Sequence, residues 1–393
     1  MMSGNSTVWK RLPIVSLCEA HVDCVNRTAP VVSEPTPFKM LRTTNVRNGY
    51  VDAENVRYVT EETYKKWTRR LVPRKGDVIL TREAPLGDVG KIRTDDAVFL
   101  GQRLYHFRPD PRKLDADFLL YSLLGDDLQR QIKGFGSGST VEHMRLEDIP
   151  SLEFSVPPLP IQRRIAGVLS AYDELIENSQ RRIRILESMA RALYREWFVH
   201  FRFPGHESVP RVPSPLGEIP EGWEMRRLGE ILELNYGKAL KKEDRHDGPY
   251  QVYGSSGIVG THDASLVKGP GIIVGRKGNV GSVFWCDDDF FVIDTAYFVT
   301  SALPLRFLFY VLPTLNFINS DAAVPGLSRH QAYSLELPVP PADLLAKFCD
   351  VADSIERHAI KLQRQIQTLR RTRDLLLPRL LSGQIDVETL DHA

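Results

Sequence analysis

Few residues in this 393-residue chain have the types and spacing that chemistry requires, and the first group is a run of glycines. Gly275, Gly278 and Gly281 follow the apolar segment GIIV. Glycines in such a place can cradle phosphate, but a P-loop ends in Gly-Lys-Ser/Thr and a dinucleotide fingerprint opens a helix. Neither feature follows here. The pattern favours a tight loop between two strands, in which the glycines permit turns or the close approach of a partner.

Catalytic and metal-binding patterns are also missing from the sequence. The four cysteines are Cys18, Cys24, Cys286 and Cys349. None forms a Cys-x-x-Cys pair, so neither a zinc site nor a disulfide framework is predicted. The histidines are scattered without ligand spacing. The acidic pairs Asp126-Asp127 and Asp287–Asp289 lie in polar segments and are interpreted as solvated loops. The sequence therefore predicts no catalytic residue and no metal ligand.

Polar and basic side chains cluster in loops of both halves of the chain. In the first half they are Lys39, Arg42, Asn45, Arg47, Arg82, Gln102 and Arg103, and in the second half Lys238, Lys241, Ser255, Ser256, Arg276, Lys277 and Asn279. Arginine can bond guanine edges, Asn and Gln can bond adenine edges, and lysine or serine suits phosphates. The alternative is an ordinary solvated surface. Because the same residue types recur in both halves, we predict DNA-binding loops.

Composition sets few limits on function. The chain is 42% hydrophobic and 26% charged, with a formal net charge of +1, which neither favours nor excludes a nucleic-acid partner. The N-terminus has no signal-peptide run, and the most apolar window, residues 304–318, is short and broken by Pro313. We therefore expect a cytoplasmic protein without a membrane segment.

The strongest pattern is an internal repeat. SVPPLPIQRRIAGVL (Ser155–Leu169) returns as PVPPADLLAKFCDV (Pro338–Val351). One ungapped offset of 183 residues aligns Ser151 with Ser334 and holds as far as Trp197, with 12 identities over 47 positions. Unrelated segments would not keep one register for this distance. The preceding regions also resemble each other more faintly, so we predict a tandem duplication.

Each copy of the repeat predicts a long helix. Apolar residues recur at alternating steps of four and three, which indicates the heptad seam of a coiled coil. The predicted seam and partner-contact residues are Ile165, Leu169, Tyr172, Ile176, Ile183, Leu186, Trp197, Phe348, Ile355, Leu362, Ile366 and Leu369. Forty helical residues span roughly 60 Å. The arginines near the end of the second helix, Arg370, Arg371 and Arg373, are interpreted as a solvated face.

The segments before the helices indicate an α+β fold of short strands and turns. A short helix is predicted at Asp115–Leu124 and a matching one at Pro304–Leu312. The predicted domains are a first globular domain (1–158), a long helix (159–203), a Pro/Gly-rich linker (204–222), a second globular domain (223–341), a second long helix (342–383) and a tail (384–393).

The chain resembles the specificity subunit of type I restriction–modification enzymes over essentially its whole length. The resemblance rests on the duplicated Pro-Pro phrases, each before a long helix, and on four shorter phrases in a fixed order. These phrases are LRTTNVRNGYVD, LGQRLYHFRPD, YGSSGIVG and GRKGNVGSVFW. One departure is that the Glu-Gln pair frequent in the family after Pro-Pro is replaced by Ile161-Gln162 and by Leu344-Leu345.

The resemblance implies a function. Each globular domain would be a target-recognition domain for one half of a bipartite site in double-stranded DNA. The helices would form an antiparallel coiled coil that sets the spacing and docks two methyltransferase subunits. The chain itself would be non-catalytic and bind no cofactor, since S-adenosylmethionine, ATP and Mg would belong to methyltransferase and restriction subunits. Two alternatives stay open: a coiled-coil scaffold that does not read DNA, and a nucleotide-processing enzyme that uses Gly275–Gly281.

Overall fold

The computed structural model describes residues 9–136, 142–317 and 326–388. The chain forms two compact units. Unit 1 comprises Met1–Ser179 and Arg364–Ala393, and unit 2 comprises Gln180–Gln363. Each long helix thus contributes one half to each unit, whereas the sequence-based division kept the helices separate from the globular domains. Residues 389–393 of the predicted tail lie outside the described residues.

The described residues of unit 1 form three sheets and three short helices, and parts of both long helices also belong to this unit. Its strands are β1 (Lys10–Pro13), β2 (Cys18–Asp23), β3 (Phe38–Leu41), β4 (Val46–Arg47), β5 (Gly49–Val51), β6 (Arg57–Tyr58), β7 (Val78–Arg82), β8 (Leu86–Lys91), β9 (Ala97–Leu100), β10 (Leu104–Pro109) and β11 (Glu153–Val156). The sheet orders are β2-β10-β7-β8-β5-β4, β6-β3-β9 and β1-β11. Its helices are α1 (Glu61–Trp67), α2 (Ala116–Leu124), α3 (Asp126–Gly136) and the first half of α4 (Leu159–Tyr194).

Unit 2 also consists of small sheets and short helices, but the lengths of its strands and helices differ from those of unit 1. Its strands are β12 (Arg211–Ser214), β13 (Gly217–Pro220), β14 (Glu224–Arg227), β15 (Leu232–Tyr236), β16 (Tyr250–Gly254), β17 (Gly257–His262), β18 (Gly271–Gly275), β19 (Val283–Cys286), β20 (Phe290–Val292), β21 (Ala296–Ser301) and β22 (Glu336–Val339). The sheet orders are β15-β21-β18-β19, β17-β16-β20, β14-β22 and β12-β13. The helices are α5 (Leu228–Ile231), α6 (Leu305–Val311), α7 (Arg329–Ser334) and α8 (Ala342–Leu381), whose last part belongs to unit 1.

The structure confirms the α+β class and the duplication. In unit 1 the strand before the long helix, β11, pairs antiparallel with β1, and Val156 lies opposite Lys10. In unit 2 the corresponding strand, β22, pairs antiparallel with β14, and Val339 lies opposite Glu224. Val156 and Val339 are repeat-related residues. The strand pairs β1–β11 and β14–β22 therefore have the same register in the two units. The predicted short helices are confirmed as α2 and α6.

The two long helices are present, and α4 continues as a π-helical turn over Arg195–Val199. Within unit 1 they run antiparallel, because Asp173 contacts Arg373 while Ile165 and Leu380 share one buried cluster. Within unit 2 the ring of Phe348, near the start of α8, lies 6.0 Å from that of Trp197 beyond the end of α4.

The predicted seam residues are all buried or half-buried. Those with less than a tenth of their surface exposed are Ile165, Leu169, Ile176, Ile183, Trp197, Phe348, Leu362 and Ile366. The half-buried ones are Tyr172, Leu186, Ile355 and Leu369. The burial of these side chains agrees with the 4–3 spacing of apolar residues in the two helices.

The segment predicted as a linker has its own structure. β12 and β13 form an antiparallel hairpin within residues 204–222. Ile219 of this hairpin is buried in the core of unit 2 together with Phe203 and Trp223. Trp197 and Phe198 belong to the same core, so these rings pack onto unit 2, the alternative to an exposed partner contact.

Candidate nucleic-acid interface

The predicted polar residues of unit 1 lie mainly at one sheet edge. β3 and β9 are parallel neighbours, so their carboxyl ends meet at the same edge. Arg42 follows β3, and Gln102-Arg103 follow β9. The amide N–H of Gly101 donates to the Leu41 carbonyl over 2.8 Å, which joins the two loops.

These loops surround a concavity of about 280 Å³. Four arginines line it, and no acidic side chain does. The lining residues are Arg27, Thr28, Ala29, Met40, Arg42, Thr43, Arg57, Gly101, Gln102 and Arg103. Arg27, Arg57 and Arg103 are exposed, and Arg42 is half-buried. One of the four, Arg103, is partly compensated, since its guanidinium lies 3.4 Å from the Glu83 carboxylate. The lining as a whole remains positively charged, so the concavity suits a phosphate or a base edge rich in acceptors.

Two of the predicted residues hold this site rather than face it. Asn45 is 3% exposed; its amide donates to the Asn55 carbonyl over 2.8 Å, and its oxygen accepts the Arg42 amide N–H. Arg82 donates from its guanidinium to the Met144 carbonyl over 3.0 Å. Its amide N–H donates to the Arg103 carbonyl, at a residue whose φ is 71°. Both residues therefore fix the loops that present Arg42 and Arg103.

The remaining predicted residues of unit 1 lie outside the concavity. Lys39 bonds Asp96 at 2.6 Å, and this hydrogen bond lowers the pKa of the Asp96 carboxyl. Arg47 is exposed and lies 3.8 Å from Asp88. Of these two cations, Arg47 is the more accessible, with 65% of its side chain exposed.

In unit 2, two predicted loops are brought together. β16 and β20 are parallel, and Ser255 follows β16 at that edge. The glycine loop connects β18 to β19, as the sequence predicted. The Ser282 hydroxyl joins the loops because it lies 2.5 Å from the Ser255 carbonyl and 2.9 Å from that of Asn279. Gly278 has a φ of 80°, and a Cβ there would lie 3.5 Å from the Ser255 hydroxyl.

Arginine and tyrosine side chains meet at the edge of the neighbouring sheet. Tyr236 ends β15 and pairs across strands with Tyr297, and Arg276 follows β18. The Arg276 guanidinium carbon lies 4.8 Å from the centre of the Tyr236 ring, and that of Arg329 lies 4.5 Å from it. The neighbouring Tyr297 hydroxyl, together with the guanidinium groups of Arg329 and Arg276, lowers the pKa of the half-exposed Tyr236.

The other predicted residues of unit 2 lie in these loops or on the segment that follows β15. Lys238, Lys241, Ser256, Lys277 and Asn279 are exposed. The backbone N–H groups of Lys238 and Lys277 bond the carbonyls of Val292 and Thr295, respectively. Ser255 is 9% exposed, so it supports the loop more than it offers a contact.

Sequence reasoning missed Arg27, Arg57 and Arg329. Arg57 lies opposite Met40 in the β3–β6 pair, a register that only the folded sheet reveals. Arg329 begins α7, far along the chain from Tyr236. Its position four residues before Tyr333, whose hydroxyl accepts the Leu234 N–H, places α7 beside β15. No short motif contains this signal.

Within residues 9–136, 142–317 and 326–388, no group of His, Cys, Asp and Glu side chains could hold a metal ion. No helix of this described part is long and apolar enough to cross a membrane.

Comparison with known proteins now decides the family. The model of the type I restriction modification DNA specificity domain matches this chain twice, at residues 29–188 and 220–368. The chain belongs to this family. It is 26% identical to the "Type I restriction enzyme MjaIX specificity subunit" of Methanocaldococcus jannaschii, over 85% of this chain and 83% of the relative. It is 24% identical to the putative MjaX specificity subunit of the same organism, over 92% and 90% of the two chains.

A solved structure shares the fold. The crystal structure of the type I restriction–modification system S subunit from M. genitalium covers 97% of this chain and 98% of its own, with a TM-score of 0.59 and 20% identity. The two copies of the family domain correspond to the two globular parts that bear the basic loops.

Proposed function

We propose that this chain is the DNA-specificity subunit of a type I restriction–modification complex. Unit 1 would read one half of a bipartite site in double-stranded DNA, and unit 2 the other half. The observation that carries this proposal is the duplication of the family domain together with one basic loop surface in each copy.

Two different surfaces on one chain suit an asymmetric bipartite target. The concavity of unit 1 offers four arginines, whereas unit 2 offers arginines against a tyrosine. Arginine pairs bidentately with guanine and also contacts phosphate. Each wrong base pair costs about 1–3 kcal/mol, so two halves together discriminate far better than one.

The long helices would form an antiparallel coiled-coil spacer and the dock for two methyltransferase subunits. Several apolar side chains of these helices are exposed, among them Leu175, Ile185, Met189 and Leu375. Exposed apolar groups on a stiff element are suited to a protein partner. The chain itself would be non-catalytic. S-adenosylmethionine, ATP and Mg would be bound by the methyltransferase and restriction subunits.

The test measures DNA affinity against salt for the complex with co-expressed methyltransferase subunits. Arg57→Ala combined with Arg103→Ala removes two exposed cations of the concavity. Each lost phosphate contact should lower the magnitude of the slope of log K against log salt by about 0.9. We expect weaker binding and a slope reduced by about 1 to 2.

Arg69→Ala combined with Lys75→Ala is the matched control. It removes the same charge at two exposed positions of unit 1 that do not line the concavity. The control should keep the slope of the wild type. Equal effects of the two double variants, or a wild-type complex without any salt-dependent DNA binding, would contradict the proposal and leave the scaffold interpretation.

A further inference from the structure

In unit 2, Tyr236 lies against the side chains of Arg276 and Arg329, and both guanidinium groups are held by several contacts. Tyr236 has 48% of its surface exposed, although a large aromatic ring gains from burial. Both guanidinium carbons lie within 5 Å of its ring centre, inside the range of a cation–π contact. An exposed ring with two cations held against it positions both guanidinium groups before any ligand binds.

Both guanidinium groups are also fixed by backbone carbonyls. Arg276 donates from one terminal nitrogen to the Asp294 carbonyl over 3.0 Å. Arg329 donates in the same way to the Leu234 carbonyl over 3.3 Å. One hydrogen bond and one ring contact fix the plane of each guanidinium. Since a guanidinium has five N–H donors, each group keeps further donors for a ligand.

The folded sheet supplies this geometry. Tyr236 and Tyr297 are cross-strand partners with ring centres 5.1 Å apart. The Tyr297 hydroxyl donates to the Leu327 carbonyl over 3.1 Å, which ties the segment before α7 to the sheet. Arg329, two residues later, is thereby brought to the same edge as Arg276.

A guanidinium held in one plane is well suited to reading a base edge, whereas a phosphate can also be bound by a flexible lysine. A guanine edge presents two acceptors, N7 and O6, in one plane, which matches a guanidinium already held in that plane. Fixing the side chain before binding also removes part of the entropy cost of association.

We infer that Arg276 and Arg329, held in place by Tyr236, form the guanine-reading element of unit 2. The inference rests on the proposed function and specifies it: the half-site read by unit 2 contains guanine, and these two arginines contact its major-groove edge. Tyr236 is a positioning residue, which acts through its ring and not through its hydroxyl.

The experiment selects bound fragments from a randomised duplex library, using the complex with its methyltransferase subunits. If the wild-type complex enriches no bipartite motif, the proposed function fails. If it enriches one, the variants Arg276→Lys and Arg329→Lys test the inference. Each keeps its charge but loses the bidentate pair, so the preference for guanine at one position of one half-site should fall about 5- to 150-fold. The salt slope should stay unchanged, because the charge remains.

Tyr236 separates positioning from mere packing. Tyr236→Phe keeps the ring and should keep the motif, whereas Tyr236→Ala should relax the same guanine positions as the lysine variants. Arg357→Lys, an exposed arginine on α8, is the matched control and should leave the motif intact. An unchanged motif in both lysine variants, or a uniform loss of binding without loss of guanine preference, would overturn the inference while leaving the proposed function standing.

Discussion

Both units contain the same tyrosine–carboxylate hydrogen bond between a short helix and a long helix, but its surroundings differ. In unit 1, Tyr121 of α2 donates to Asp173 of α4 over 2.7 Å, and in unit 2, Tyr310 of α6 donates to Glu356 of α8 over 2.7 Å. Asp173 and Glu356 occupy equivalent positions of the repeat. Burial and the neighbouring carboxylate raise the pKa of both tyrosines, so both hydroxyls stay protonated and remain donors.

The two units differ in the interaction that joins the long helices near this bond. In unit 1, Arg373 lies 2.5 Å from Asp173, whose side chain is only 4% exposed. The repeat partner of Arg373 is Ala190, a buried residue of unit 2. There the helices are joined by rings instead, with Phe348 lying 4.8 Å from Phe198. The two units thus share the tyrosine–carboxylate bond, whereas the long helices are joined by an ion pair in unit 1 and by aromatic rings in unit 2.

The largest expected effect breaks the charged junction. Arg373→Ala leaves Asp173 buried without its cation, which should destabilise unit 1 by about 3–5 kcal/mol. Hydrogen exchange of the amides of each unit would measure the loss where it occurs. Arg370→Ala, on an exposed position of the same helix, should have almost no effect. Equal effects of the two substitutions would show that the Arg373–Asp173 ion pair does not stabilise unit 1.

A second difference concerns the residue that follows each Pro-Pro phrase. Gln162 is 1% exposed and accepts the amide N–H of Asp115, the N-cap of α2, over 2.9 Å. It also donates to the carbonyls of Lys113 and Pro157. Leu345 takes its place in unit 2. There the N-cap of α6 is Pro304, which has no N–H to satisfy.

Exchanging these two residues should therefore be costly in both directions. Gln162→Leu strands a buried donor and two acceptors, and Leu345→Gln buries an amide without that donor. Each should cost about 1–3 kcal/mol in its own unit, as seen in denaturant unfolding of the single variants. A neutral Leu345→Gln would show that unit 2 satisfies an amide at this position by another route.

The smallest effect concerns acid. Asp77 of unit 1 is buried, which works against ionisation, but hydrogen bonds from Arg108 and His106 leave its pKa below the ordinary value. A lowered folded-state pKa stabilises the fold above the ordinary value of about 3.9 and loses that contribution as the pH falls through the folded value. The aligned position in unit 2 is Pro270.

We therefore expect the difference in melting temperature between wild type and Asp77→Asn to be largest above pH 4 and to shrink as the pH falls. The melting temperature of unit 2 should be the same in the two proteins at each pH. A difference that stays constant down to pH 2.5 would mean that the ionised carboxylate contributes nothing to the stability of unit 1.

The parts of this fold that repeat were predictable from the sequence. The two copies, helix and preceding strand together, align at a single offset of 183 residues, and one heptad seam in each copy indicates the helix. Arg373 was not, since an arginine at a seam position looks solvated until Asp173 is found beside it. The site was predicted in part. Arg42, Gln102 and Arg276 stand in short polar phrases, but Arg57 and Arg329 reach the site only through strand register and the placement of α7.

The most direct test of the central claim, that each unit reads one half of a bipartite site, is to map the DNA bases that the complex methylates in cells. Arg57→Ala with Arg103→Ala should relax one half of the methylated motif, and Tyr236→Ala with Arg276→Ala should relax only the other half. The spacing between the halves should not change in either case. If both double variants altered the same half, or if the wild-type motif were one uninterrupted sequence, the account would be contradicted.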